Sequence, residues 1–150
     1  MIISHRFSQM ERMNTDFLLK NETDAILSAF FTVYTSLGYG FLERVYQNAL
    51  FYELQQRKFK CEAQRHLEVY FKGMKVGDYY PDIIVNDQVI LELKTVESIR
   101  PEHEAQLLNY LRSTKIEVGL LLNFGLKPQF KRLIYTNDRK KSLCSSVPSV

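Results

Sequence analysis

At 150 residues the chain suits one domain, long enough to bury a single layered core and too short for two ordinary ones. With 45% hydrophobic and 25% charged residues, and only 6 Gly and 4 Pro, its composition excludes fibrous and disordered classes. Lys and Arg exceed Asp and Glu by 20 to 17. That balance is compatible with a polyanionic partner without requiring one, because the basic residues fall in small groups such as Arg57, Lys58 and Lys60, or Lys127, Lys131 and Arg132.

The two cysteines, Cys61 and Cys144, have neither metal-site spacing nor the density of a disulfide scaffold, so a reducing, cytoplasmic setting is expected. No apolar run approaches the ~20 residues that span a bilayer, and residues 1–20 lack a secretory apolar stretch. A soluble, unprocessed protein without a membrane partner is expected. Residues 1–20 read as an N-terminal extension and 137–150 as a C-terminal tail, both poorly ordered, which leaves a working domain at 21–136.

Asn21 can cap a first helix whose apolar positions Ala25, Ile26, Ala29, Phe30, Val33 and Leu37 follow the helical period, with Gly38 as a stop. A second helix is read from Leu42, Val45, Tyr46, Ala49, Leu50 and Leu54, fading after Gln55. Residues 65–72 alternate as a half-buried strand. Two further strands, 76–85 and 89–94, are split by Asn86-Asp87-Gln88, and the three form a meander. Pro101 opens a third helix that runs to about Thr114 through Ala105, Leu107, Leu108 and Leu111. Val118 to Leu122 is a buried strand, and a last short strand is possible over 132–136. The order α-α-β-β-β-α-β predicts an α/β fold, a mixed β-sheet with flanking helices.

Pro81-Asp82 followed by Glu92-Leu93-Lys94 carries the chemistry. Alternation puts Glu92 and Lys94 on one face of their strand with Ile90. Asp82 shares its strand's face with Asp78, Tyr80 and Ile84. If residues 86–88 form a three-residue loop, Val85 faces Val89 and Asp82 lies opposite Glu92; a two-residue loop would instead pair Asp82 with Leu91 and turn the carboxylates to opposite faces. Two buried carboxylates repel unless a positive group lies between them. Mg²⁺, held by one or two carboxylates while keeping water and phosphate oxygens, would relieve that repulsion. Lys94 could then stabilise the charge of a phosphodiester under attack. The same three residues also suit a cross-strand salt-bridge set of little energetic consequence.

Gly38-Tyr39-Gly40-Phe41-Leu42-Glu43-Arg44-Val45-Tyr46 has the arrangement G-x-G-x-x-E-x-x-Y. Together with Asp82, Glu92-Leu93-Lys94, Gln106 and Asn123-Phe124-Gly125, over roughly residues 22–136, it resembles the GxxExxY protein family, which is assigned to the PD-(D/E)XK nuclease-like superfamily. Tyr39 stands where members commonly have proline, and Tyr34 where they often have histidine.

The resemblance implies a restriction-endonuclease-like core and a nuclease acting on DNA or RNA with Mg²⁺ or Mn²⁺. Asp82, Glu92 and the Leu93 carbonyl would be metal ligands, and Lys94 the catalytic lysine. Glu43 would match a helical glutamate that serves the metal; alternatively it is a first-turn glutamate favoured by the helix dipole. Gln106 and Tyr110, four apart on one helix face, resemble a pair that reaches the lysine or the phosphate; alternatively they form a polar rim. His103, near that face, and His66 could line a substrate groove or be structural. The short chain leaves little room for a recognition domain, so a homodimer or a partner subunit is compatible. The rival reading is a non-catalytic nucleic-acid-binding or protein-interaction module that retains the fold.

Overall fold

The computed structural model describes residues 2–144, with side chains described over 19–140. Five strands make the main sheet: β1 (Cys61–Ala63), β4 (Ile83–Val85), β5 (Val89–Lys94), β6 (Val118–Phe124) and β7 (Pro128–Ile134), in the spatial order β1-β4-β5-β6-β7. β5 and β6 run parallel, joined through α3 (Pro101–Ser113), and the other pairs are antiparallel. Two further strands, β2 (Leu67–Phe71) and β3 (Met74–Tyr79), pair only with each other. The mixed α/β architecture with flanking helices is the expected one.

Alternation divides the sheet between two cores. Ile83, Val85, Leu91, Leu93, Leu120 and Leu122 face α1 (Ile2–Leu37) and α2 (Glu43–Gln56), where they meet Ile26, Phe30, Tyr46, Leu50 and Leu54. Ile84, Ile90 and Leu121 face the opposite way, toward Leu107 and Leu111 of α3. Every residue of β6 is buried, which explains its unbroken apolar sequence: a central strand covered on both faces has no polar side to alternate with.

Several elements differ from expectation. Helix α1 begins at Ile2, so Asn21 lies inside it and the expected N-terminal extension is largely helical. In α2 the buried residues are Tyr46, Leu50 and Leu54, whereas Leu42 and Val45 are exposed. The three-strand meander is not formed: the expected strand over 76–85 breaks at Tyr80-Pro81-Asp82 into β3 and β4, which lie in different sheets. The short β1 was hidden in a polar stretch, and β7 begins at Pro128, earlier than expected. Where a tail was expected, α4 (Asn137–Cys144) is fixed by Asn137 N–H on Glu117 Oε2 (2.9 Å) and by Lys140 Nζ on the carbonyls of Thr114 (2.8 Å) and Ile116 (2.6 Å). The rest of that tail, 145–150, lies outside the described residues.

The segment leaving β5 is tied to the end of β6. Asn123, fully buried, accepts from Val96 N–H and donates to Val96 C=O, both at 2.9 Å. A Cβ at Gly125 would stand 2.2 Å from the Val96 carbonyl oxygen, so only glycine leaves room for this contact. Gly125→Ala should therefore lower stability by about 1–3 kcal/mol, read as a lower urea midpoint. An unchanged midpoint would show that the segment after β5 yields without cost.

Candidate active site

Proline at position 81 organises this region. β4 and β5 pair as Ile83↔Leu91, Ile84↔Ile90 and Val85↔Val89. Asn86 and Asp87, with φ of 53° and 57°, make the left-handed turn between them, and Gln88 N–H donates to Val85 C=O at 3.0 Å. This is the register expected of a three-residue loop. Carried two positions past its last pair, that register would set Asp82 against Glu92 and Pro81 against Leu93, and the Asp82 charge does act on Glu92. Proline has no N–H to give to the Leu93 carbonyl, and on the same edge the Leu93 N–H donates to the Asp82 side chain, at Oδ2, at 2.8 Å. In an extended strand the N–H and C=O of one residue point to the same edge. The Leu93 carbonyl is therefore turned toward the edge where Asp82 stands.

Asp82 is held from two more directions. Its carbonyl accepts from Gln47 Nε2 of α2 (3.1 Å) and from Gln64 N–H (3.3 Å), and the Gln64 side chain also hydrogen-bonds its carboxylate. Burial raises the Asp82 pKa above the usual carboxylate range, against the pull of the Leu93 N–H, Lys94 and Gln64. Glu92 is pushed up to about 7, first by burial and then by the Asp82 charge, while the Tyr79 hydroxyl and Lys94 act the other way. That hydroxyl donates to Glu92 Oε1, and the Tyr79 ring stacks almost parallel on Tyr110 of α3.

Glu43 enters from the first turn of α2. Its pKa is raised by burial and then by Asp82, with Lys94 opposing, so Glu43 belongs to the same electrostatic neighbourhood. The local sequence explains how it gets there. Gly38 and Gly40 adopt φ of 72° and 112°, and the second of these is accessible in practice only to glycine. Tyr46, one turn beyond Glu43, donates its hydroxyl to Gly38 C=O and receives Phe41 N–H at 3.2 Å, with its ring stacked on Phe124. The G-x-G-x-x-E-x-x-Y spacing is thus a bent entry loop, the glutamate it delivers and the tyrosine that ties it down. Tyr34, one of the two departures from the resembled pattern, donates to the carbonyls of Gly125 (2.9 Å) and Leu126 (2.7 Å), joining α1 to the end of β6.

Among the described ion pairs none includes Glu43, Asp82, Glu92 or Lys94, so the salt-bridge alternative is not what joins these groups. Lys94 is half-buried at the end of β5, opposite Asn123 in the β5–β6 register. Among the described residues no group of three His, Cys, Asp or Glu converges tightly enough to hold a metal by itself. Of the more distant candidates, Tyr110 reaches the region through Tyr79, whereas Gln106 is exposed on α3. His103 Nδ1 accepts from Arg100 N–H at 3.1 Å and caps the helix start. His66 hydrogen-bonds Asp78 and stacks on Tyr80. Sequence reasoning missed Tyr79, Gln47 and Gln64. Gln47 could have been found as the residue four beyond Glu43, on the same helical face.

The raised carboxyls set the pH dependence of folding. A carboxyl that binds its proton more tightly in the folded chain stabilises the fold at low pH, and this contribution is lost as pH rises through the folded pKa. For Glu92 that window runs from about 4.5 to about 7, and Asp82 and Glu43 shift in the same direction. In chelator, stability measured by urea denaturation should fall by on the order of 1–3 kcal/mol between pH 5 and pH 8. Glu92→Gln should flatten most of that fall. A metal-free stability that rises across this window would contradict the assignment.

No curated protein matches the chain. Among solved structures, the crystal structure of SSO0001 is similar to it at 18% identity and a TM-score of 0.47, over 69% of this chain and 59% of that one. The chain thus spans about three-fifths of that protein's length. The family described as the PD-(D/E)XK nuclease superfamily matches residues 20–133, a stretch that includes Glu43, Asp82, Glu92, Lys94 and Asn123. By that match the chain belongs to the PD-(D/E)XK nuclease superfamily.

Proposed function

We propose that the protein is a metal-dependent nuclease of the GxxExxY kind, hydrolysing phosphodiester bonds in DNA or RNA at the edge where β4 leaves β5. The observation that carries this reading is the closeness of Asp82 and Glu92 just beyond the last β4–β5 pair, where the Asp82 charge acts on Glu92 and Asp82 Oδ2 holds the Leu93 N–H, with no salt bridge to either carboxylate among the described residues. All three carboxyls of the neighbourhood have raised pKa values, by burial first and, for Glu43 and Glu92, then by the Asp82 charge, with Lys94 opposing, so a bound cation would favour their ionised forms.

These donors fit Mg²⁺ or Mn²⁺. Hard oxygen ligands suit both, and Mg²⁺ is commonly bound by only one or two carboxylates, so the lack of a closed three-ligand cluster is no obstacle. Asp82, Glu92 and the Leu93 carbonyl would hold the ion, with Glu43 in support. When bound, the ion polarises the phosphodiester and increases the acidity of the attacking water. Lys94 supplies positive charge where the phosphoryl oxygens gain negative charge. Tyr79 orients Glu92 through its hydroxyl, Tyr110 backs Tyr79, and Gln106 and His103 flank the substrate side of α3.

Purified protein should cleave nucleic acid with Mg²⁺ or Mn²⁺, with activity rising toward alkaline pH. Ca²⁺, with its looser shell, should support binding with little cleavage, and EDTA should abolish turnover. Asp82→Ala and Glu92→Ala should each abolish cleavage while circular dichroism stays native. Lys94→Met should keep metal binding near normal and lower the rate by on the order of 10²-fold. If the wild type cuts neither DNA nor RNA with either ion, yet binds one equally well in EDTA, it is a binding module instead. Activity that survives Asp82→Ala would come from a contaminant.

A further inference from the structure

The hairpin β2–β3 has two unlike faces. On one, Glu68 lies opposite Asp78 and Tyr70 opposite Lys75. Lys75 Nζ reaches Asp78 at 2.9 Å and Glu68 at 3.5 Å, so both carboxylates of the hairpin are engaged on that side. The other face carries Leu67 opposite Tyr79, Val69 opposite Gly77 and Phe71 opposite Met74, with no acidic residue. Its inner half is covered, because Leu67, Val69 and Tyr79 pack with Leu107 and Leu111 of α3. Its outer half is not: Phe71 is 62% exposed and Met74 69% exposed. Lys72 and Gly73 make the turn between them, and the Lys72 ammonium lies 5.4 Å from the centre of the Phe71 ring.

This row of side chains begins at the candidate site, since Tyr79 at its inner end donates to Glu92. At about 3.3 Å per residue, Phe71 lies ~13 Å further out than Leu67, the residue paired with Tyr79. Resting on the nuclease reading, we infer that the hairpin is an arm for single-stranded nucleic acid running to or from that site. Phe71 stacks on an unpaired base beside Met74, and Lys72 meets the neighbouring phosphate. An exposed ring beside a cation is the combination that single-strand binders use, because every base offers a flat face once it is unpaired. A duplex buries those faces and presents phosphates, for which an apolar tip with one lysine has little to offer. A protein partner is the poorer occupant, since stable interfaces take about 800 Å² from each side and the exposed apolar side chains here, Tyr70, Phe71, Met74 and Val76, are confined to the tip of one two-stranded hairpin.

The chain contains no tryptophan, so Phe71→Trp places a single reporter on the arm. The probes are oligothymidylate and oligouridylate of about 20 nucleotides, longer than the ~4–16 nucleotide footprints of single-strand binders, and a blunt duplex of equal length. All are titrated in EDTA, so that binding is read without cleavage. We expect saturable quenching by one or both single strands, and affinity for the duplex weaker by about tenfold or more. In anisotropy, Phe71→Ala with Met74→Ala should lose about tenfold or more in single-strand affinity, with the thermal melt confirming a native fold.

Unquenched indole fluorescence on a strand that anisotropy shows to be bound would overturn the inference, as would equal affinity for the duplex. Quenching by protein concentration alone, with a dimer in sedimentation that the double variant dissolves, would assign the tip to a second copy and overturn it too. Failure of the nuclease reading is separate: it is absence of Asp82-dependent cleavage, whatever the indole reports.

Discussion

One hydrogen bond sets the geometry on which the candidate site depends: the Leu93 N–H held by Asp82 Oδ2. A continuous antiparallel ladder would have given that N–H a backbone carbonyl, and Asp82 would have been one more strand residue. Proline at 81 ends the ladder on its β4 side, and the chain departs for a different sheet. The side chain of the next residue then takes over the N–H. One substitution-level feature thereby fixes a carboxylate against β5, turns the Leu93 carbonyl toward the same edge and leaves Glu92 facing Asp82.

The rest of the neighbourhood is brought to that edge by polar ties that have no role in the chemistry. Tyr46 fastens the glycine-rich entry of α2, which sets where Glu43 stands, and Gln47 on the same helix reaches the Asp82 carbonyl. Asn123 and Gly125 fasten the segment that follows Lys94. These residues are buried or half-buried and satisfied by backbone groups, which gives a fixed geometry at modest energetic gain because each replaces a bond to water. A sequence motif here mixes two kinds of residue: those that bear charge at the site, and those that hold backbone so that the charge arrives.

That mixture explains what the sequence made legible. The β4–β5 register was one of two that patterning left open, decided by the three-residue loop 86–88, and β6 followed from an apolar run too short for a helix. Apolar spacing could not tell which stripe of α2 was buried, because Leu42, Val45 and Ala49 satisfy a helical period as well as Tyr46, Leu50 and Leu54 do. The deciding factor was tertiary: Tyr46 stacks on Phe124, a residue nearly eighty positions away. The run 76–85 looked like one strand because its residue types suit a sheet throughout, and only its proline marked the division. Tyr79 was invisible as a site residue for the same reason, since its partner Glu92 is reached across a sheet boundary that alternation does not reveal.

The carboxyls also impose a conflict between function and stability that the fold resolves locally. Glu43, Asp82 and Glu92 each lose hydration, and their mutual repulsion disfavours ionisation together. A site that neutralised them with arginine would be more comfortable, but it would have no capacity left for a cation and a phosphodiester. Instead neutral donors hold the groups: Asp82 by its carbonyl and by the Leu93 N–H and the Gln64 side chain at its carboxylate, Glu92 by the Tyr79 hydroxyl and the Asp82 N–H, and Glu43 by the loop before its helix. Each arrangement restrains position without a neutralising salt bridge among the described residues. The stability cost is then confined to pH values at which the carboxyls are ionised and no cation is present, which is the condition that binding of a divalent ion would remove.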